Sequence, residues 1–129
     1  MIKLQLLEGG FREQGVRRLG QDGPGLLLFG VVDTAGPELL GCAGFYLEKE
    51  GGEITGIWVT DRQDGLDVPT ALIKGTLNSI DLAGFKSAVY TGDACRDRFL
   101  ALGFQENQTG NLTLNLEGYF EQGCHCEGS

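Results

Sequence analysis

The densest chemistry in the chain lies near its end, where Gly123-Cys124-His125-Cys126 brings two thiols and an imidazole together. Thiolate and imidazole suit Zn(II), Cu(I) or an iron–sulfur centre, so Cys124, His125 and Cys126 form a candidate metal set, with a metal at the tail as its cofactor. A closed tetrahedral zinc site needs a fourth ligand, which Cys95 or a second chain would supply. The competing reading is a thiol-bearing tail without metal, because a Cys-x-Cys lacks the second pair that marks a zinc module. Other constellations are missing. There is no Gly-x-Gly-x-x-Gly, no Walker phosphate loop and no Gly-x-Ser-x-Gly, and a serine or cysteine triad would have to recruit His125, the only histidine. Trp58 and Phe45 read as core or cleft-wall residues.

At 129 residues and 41% hydrophobic content the chain is expected to form one domain with a real core, and its 22 glycines predict tight turns between short elements. The expected division is a domain over 1–122 and a tail over 123–129. The net charge of −8 argues against nucleic acid or an anionic membrane as partner, since no basic stripe exists to displace phosphate counterions. Arg12, Arg17 and Arg18 are the only basic cluster. The opening Met1-Ile-Lys-Leu-Gln-Leu-Leu7 lacks the apolar stretch of a signal peptide, and no apolar run approaches the ~18 residues of a membrane helix. A soluble cytoplasmic protein is therefore expected. Its cysteines are then free thiols rather than a disulfide framework, with Cys42 and Cys95 acting as small core residues.

The elements that must position any site are organised around the stretch 53–104. Glu53-Ile-Thr-Gly-Ile-Trp-Val59 reads as a buried strand, and 61–67 as a polar turn. Pro69 to Ala83, with Leu72, Ile73, Leu77 and Ile80 on one side, reads as a helix that Pro69 opens and Gly84 ends. Lys86 to Thr91 is a second strand. Asp93 can cap a short helix whose Cys95, Phe99 and Leu102 share a face, closed by Gly103. Strand, helix and parallel strand make a right-handed βαβ step. Before it, Ile2, Leu4 and Leu6 alternate with polar residues as a half-buried first strand, and 9–20 holds one short helix resting on Phe11, Val16 and Leu19. Gln21 to Gly25 is a turn by composition. Leu26 to Asp33 is a strand covered on both faces, and Leu39 to Lys49 pairs with the Glu53 strand through a hairpin at Glu50-Gly-Gly52. After it, Leu112, Leu114 and Leu116 mark a closing strand. The fold class is α/β (α+β), with a mixed, mostly antiparallel sheet, one βαβ step and flanking helices.

That order resembles the GNAT superfamily of acetyl-CoA-dependent N-acetyltransferases over roughly 26–117. The Leu39–Val59 hairpin looks like the family's third and fourth strands, Leu72-Ile73 like the paired aliphatics of its central helix, and Arg98-Phe-Leu-Ala-Leu-Gly-Phe104 like its helix ending in glycine and an aromatic. The resemblance implies acetyl-CoA as cofactor, held by Trp58, Val59, Arg62 and Gly65, and a small-molecule or peptide amine as acceptor. It implies Glu53, at the start of the fourth strand, as general base. Phe99 replaces the family's leaving-group tyrosine, which leaves Tyr90 as the substitute acid.

The chain departs from the family's Arg-Gly-x-Gly-x-Gly/Ala phosphate loop. Aligned without gaps it has Asp64-Gly65-Leu66-Asp67-Val68-Pro69, so only Gly65 matches, and a gapped alignment adds Arg62. The arm between Leu7 and Leu26 is too short for the family's usual two helices, so the acceptor side is open or completed by a second subunit, which makes a homodimer compatible. These departures keep two other readings in play: a GNAT-fold module that binds a different ligand or a protein partner without catalysis, and a domain that carries the Cys124–Cys126 tail as the working part.

Overall fold

The computed structural model describes residues 1–61 and 67–120. In chain order its elements are β1 (Ile2–Leu6), α1 (Gly9–Leu19), β2 (Leu27–Asp33), β3 (Glu38–Glu48), β4 (Gly51–Val59), α2 (Val68–Leu82), β5 (Ser87–Tyr90), α3 (Arg96–Ala101), β6 (Gln105–Glu106) and β7 (Leu112–Asn115). The strands form one seven-stranded sheet ordered β1-β2-β3-β4-β5-β7-β6. Every neighbouring pair is antiparallel except β4–β5, the parallel step that α2 crosses. This is the expected order with β6 added. The two-residue β6 carries no hydrophobic alternation, and its return to β7 is set by Asn107, whose Oδ1 accepts from the backbone N–H of Thr109 and of Asn111 at 3.0 Å each.

Two cores lie on opposite faces of the sheet. On one face α2 buries Leu72, Ile73, Leu77 and Ile80 against Val31, Phe45, Ile54 and Tyr90. Glycines let the helix lie close: a Cβ on Gly75 would meet the Phe29 ring at 2.3 Å, and one on Gly52 would meet Ile80 at 2.5 Å. On the other face α1 lays Phe11, Val16 and Leu19 on a smaller core of Leu7, Leu28, Val32, Leu39 and Cys42. With a helix on each side, β2 is buried through its middle, as its near-continuous apolar run predicts.

Two expectations are corrected. β1 alternates, but its apolar residues face outward: Ile2, Leu4 and Leu6 are 36, 47 and 49% exposed. Opposite Asp33, Val31 and Phe29 they lie on the α2 side of the sheet, where the helix touches β1 without covering them, and β1 is an edge. The cap of α3 is Cys95, not Asp93; Cys95 has a left-handed backbone with φ 58° and no side-chain capping bond. Among the described residues no helix is long and apolar enough to cross a membrane.

Candidate functional site

The parallel contact between β4 and β5 is brief. Gly52, Glu53 and Ile54 pair with Ala88, Val89 and Tyr90, and the amide of Thr91 donates to the carbonyl of Ile54 at 3.0 Å. β4 then continues to Val59 on the arm of β3 alone, while the other strand turns away at Gly92. The result is a fork. One wall is the β4 backbone over 55–59, which no longer pairs with β5, and the apex is Ile54 and Thr91.

A bulge in β4 sets which side chains face the fork's two sides. Gly44 pairs with Gly56 and Phe45 with Ile54, so Thr55 is the extra residue. Gln21, from the turn after α1, clasps it: Thr55 Oγ1 donates to Gln21 Oε1 at 2.7 Å, and Gln21 Nε2 donates to the Thr55 carbonyl at 3.2 Å. Gly44 and Gly56 leave the space for that side chain, since a Cβ on either would sit 3.6 and 3.1 Å from Gln21. Sequence gave no sign of this contact. A glutamine in a turn has no motif, and a bulge is invisible until its partner strand is known.

Glu53 lies one residue before the apex. Gly52 and Ile54 face α2, so strand alternation directs Glu53 to the opposite, more open face. It is half-buried, and no described residue bonds its carboxylate. Glu53 lines a shallow depression of about 380 Å³ with Glu48, Glu50, Ser87, Val89 and Thr113. Three carboxylates on its wall and no cation make it attractive to a positively charged group.

The other predicted residues divide. Trp58 and Val59 are on the splayed part of β4 and border the fork through their backbone. Val59 packs on the α2-side core, whereas Trp58 turns to α1, where the Arg18 guanidinium lies 4.7 Å from its ring centroid. Arg62 and Gly65 fall outside the described residues, as do Cys124, His125 and Cys126. Among the described residues no group of three His, Cys, Asp or Glu is arranged to hold a metal.

Tyr90, the expected substitute acid, lies in the core. It is fully buried, its ring stacks on Phe99 with centroids 3.8 Å apart, and its hydroxyl donates to the Ala94 carbonyl at 2.6 Å. Burial pushes its pKa up from the usual tyrosine value. The proton is committed to a backbone acceptor inside the core.

At the far end of the fork, the N-terminus of α2 carries a side-chain cap. Asp67 caps it: Oδ1 accepts from the Thr70 amide at 3.3 Å and Oδ2 from the Thr70 hydroxyl at 2.8 Å. Pro69 has no N–H, and the Ala71 amide donates to the Asp67 carbonyl at 3.1 Å. Arg98 of α3 closes the arrangement, with Nη1 2.6 Å from Asp67 Oδ2. The Thr70 hydroxyl, followed by the Thr70 amide and Arg98, holds the Asp67 carboxyl below its ordinary pKa. A helix end of this kind would otherwise receive a phosphate. The fork therefore leaves the β4 backbone over 55–59 unpaired with β5, and the Asp67–Arg98 pair stands at the helix end.

The architecture is that of the GNAT N-acetyltransferases, and the chain has that fold. The ribosomal-protein-S18-alanine N-acetyltransferase of Escherichia coli superposes with a TM-score of 0.68 at 14% identity, over 90% of this chain and 94% of that one. The spermidine/spermine N-acetyltransferase SpeG of Vibrio cholerae gives 0.70 at 13% identity, over 95% and 98%. A GNAT-family acetyltransferase of Staphylococcus aureus Mu50 gives 0.73 at 10% identity, over 90% and 99%. No protein-family model and no curated protein sequence matches the chain.

Proposed function

We propose that this protein is an acyl-CoA-dependent N-acyltransferase whose acceptor is a small amine carrying more than one positive charge. The observation that carries the reading is the fork between β4 and β5, three paired residues followed by an unpaired β4 wall. Such a wall offers backbone N–H and C=O groups to the amide-bearing arm of a CoA thioester, and the thioester supplies the activated acyl group. The S18-alanine and spermidine/spermine N-acetyltransferases, which share the fold, give the reaction class its support.

The chain's own residues have separable tasks in this reading. Glu53 accepts the proton of the incoming ammonium, directly or through one water, so that the free amine can attack. Glu48 and Glu50 hold a second positive charge of the acceptor in the depression beside it. Gln21 fixes the Thr55 bulge, which keeps β4 from re-pairing with β5 beyond Ile54. The leaving thiolate would take its proton from water, because Tyr90 is sealed in the core. The short α1 arm leaves the acceptor face open.

The test is acetyl transfer from acetyl-CoA to spermidine, followed by thiol release, for wild type and Glu53→Gln. The reading expects kcat to fall ~100-fold or more with little change in the acetyl-CoA KM. Full activity in the variant would remove Glu53 from the chemistry. No transfer to any amine in a broad acceptor screen would remove the enzyme.

A further inference from the structure

The two edges of the sheet are built differently. The β6 edge is two residues long, polar and exposed, and its Glu106 is engaged by Arg96 at 3.5 Å. Short, charged edges of this sort resist pairing with another chain. The β1 edge is five residues long, regular along its ladder with β2, and carries Ile2, Leu4 and Leu6 at 36, 47 and 49% exposure.

The backbone of β1 points the same way. Leu7 donates its amide to the Leu28 carbonyl, and Met1 accepts from the Thr34 amide, each at 2.8 Å. Bonded and non-bonded pairs alternate along an antiparallel ladder, so Met1, Lys3, Gln5 and Leu7 turn their N–H and C=O groups toward β2. Ile2, Leu4 and Leu6 then turn theirs outward. Among the described residues, those with unpaired backbone groups on this edge are the same ones whose apolar side chains are uncovered.

From this coincidence we propose that β1 is a self-pairing seam, at which two copies of this chain join antiparallel about a two-fold axis through Leu4. The register follows from the pattern. Leu4 faces Leu4 of the second copy, and Ile2 faces Leu6 in both directions. Each outward amide meets an outward carbonyl, and the seven strands of each copy continue into a fourteen-stranded sheet. Residues opposite each other share a face, so six apolar side chains gather into one stripe beside the two α2 helices. On the other face Lys3 lies opposite Gln5, so no like charges meet. A hydrophobic occupant of different sequence would satisfy the stripe, but it would have to reproduce this edge pattern; the chain itself already does. The proposal is independent of the acyltransferase reading.

Sedimentation equilibrium of the full chain tests it, with two variants. Wild type is expected at twice the chain mass in the micromolar range. Leu4→Glu places two carboxylates against each other on the axis and should weaken association at least ~100-fold while circular dichroism stays unchanged. Leu4→Cys, with Cys95, Cys124 and Cys126 changed to serine, should form an intermolecular disulfide under mild oxidation, because directly paired strand residues lie within disulfide reach. Lys3→Cys in the same background should not. A wild-type monomer at 100 times that concentration, a dimer that survives Leu4→Glu, or equal cross-linking of the two cysteine variants would each overturn the seam.

Discussion

Replacing Asp67 by Asn tests whether the chain's own carboxylate keeps anions from the N-terminus of α2. The folded state should hardly notice. Asn caps helices about as well as Asp, and the Asp67–Arg98 pair joins side chains 49 and 48% exposed, so its loss costs at most ~1 kcal/mol after solvent screening. The effect on an incoming diphosphate is larger. A carboxylate ~6 Å from a phosphate charge at an effective dielectric of ~40 costs ~1 kcal/mol. Arg98, released from Asp67, can donate to the phosphate instead, worth about 1 kcal/mol more at this exposure. The two contributions sum to about 2 kcal/mol, or roughly 30-fold in affinity. Calorimetric titration with CoA, and with adenosine 3′,5′-diphosphate as the phosphate-bearing fragment, should show tighter binding by Asp67→Asn than by wild type, and the gain should shrink when Arg98→Gln is added. Affinities that agree within twofold would refute the reasoning, because neither the repulsion nor the freed guanidinium would then be felt.

Further expectations follow from single contacts. Asp67→Ala removes the cap and should destabilise the fold by about 1 kcal/mol at neutral pH. Because the Asp67 pKa is depressed in the folded state, its contribution is present above the unfolded value and is lost as pH falls through the folded one; the stabilities of variant and wild type should therefore begin to converge only as pH drops below ~4. Burial pushes the Cys42 thiol up to about 12, so iodoacetamide at pH 8 should spare Cys42 in the native protein and label it in urea; prompt native labelling would mean that the α1-side core opens readily. Tyr90→Phe should lower stability by about 1 kcal/mol through the lost bond to Ala94 and leave acyl transfer unchanged, whereas a kcat loss of 100-fold would restore Tyr90 as the acid. Phe99→Ala, which removes a fully buried ring stacked on Tyr90 and meeting Phe104 edge to face, should cost about 3–5 kcal/mol by urea denaturation.

Much of the architecture was legible because it rests on local pattern. The α2 helix, the β3–β4 hairpin and the parallel return strand are fixed by hydrophobic period and by Pro69, and each appears where expected, except that the hairpin turns at Lys49-Glu50, with Gly51 and Gly52 already inside β4. β1 shows where such reasoning fails: alternation reveals that one face is apolar, not that anything covers it. The α3 cap failed for a related reason, since an aspartate near a helix start is a good guess until tertiary packing places Cys95 there in a left-handed turn. Glu53 was nameable through its place near the start of β4, and the depression it lines needs only the β4–β5–β7 register. Gln21 was beyond reach, because its partner Thr55 lies 34 residues away and becomes special only through a bulge. Asp67 is the most instructive case. In sequence it is a carboxylate where a phosphate loop wants glycine; in the fold it is a helix cap neutralised by an arginine 31 residues on.

The fork between β4 and β5 is proposed to receive the arm of an acyl thioester. Titration of ¹⁵N-labelled protein with acetyl-CoA, followed amide by amide, tests it most directly. The account predicts saturable shifts centred on Thr55, Gly56, Ile57, Trp58, Val59 and Thr91, with β1 and β6 undisturbed. An unchanged spectrum at millimolar acetyl-CoA, or shifts confined to a surface away from those residues, would contradict it.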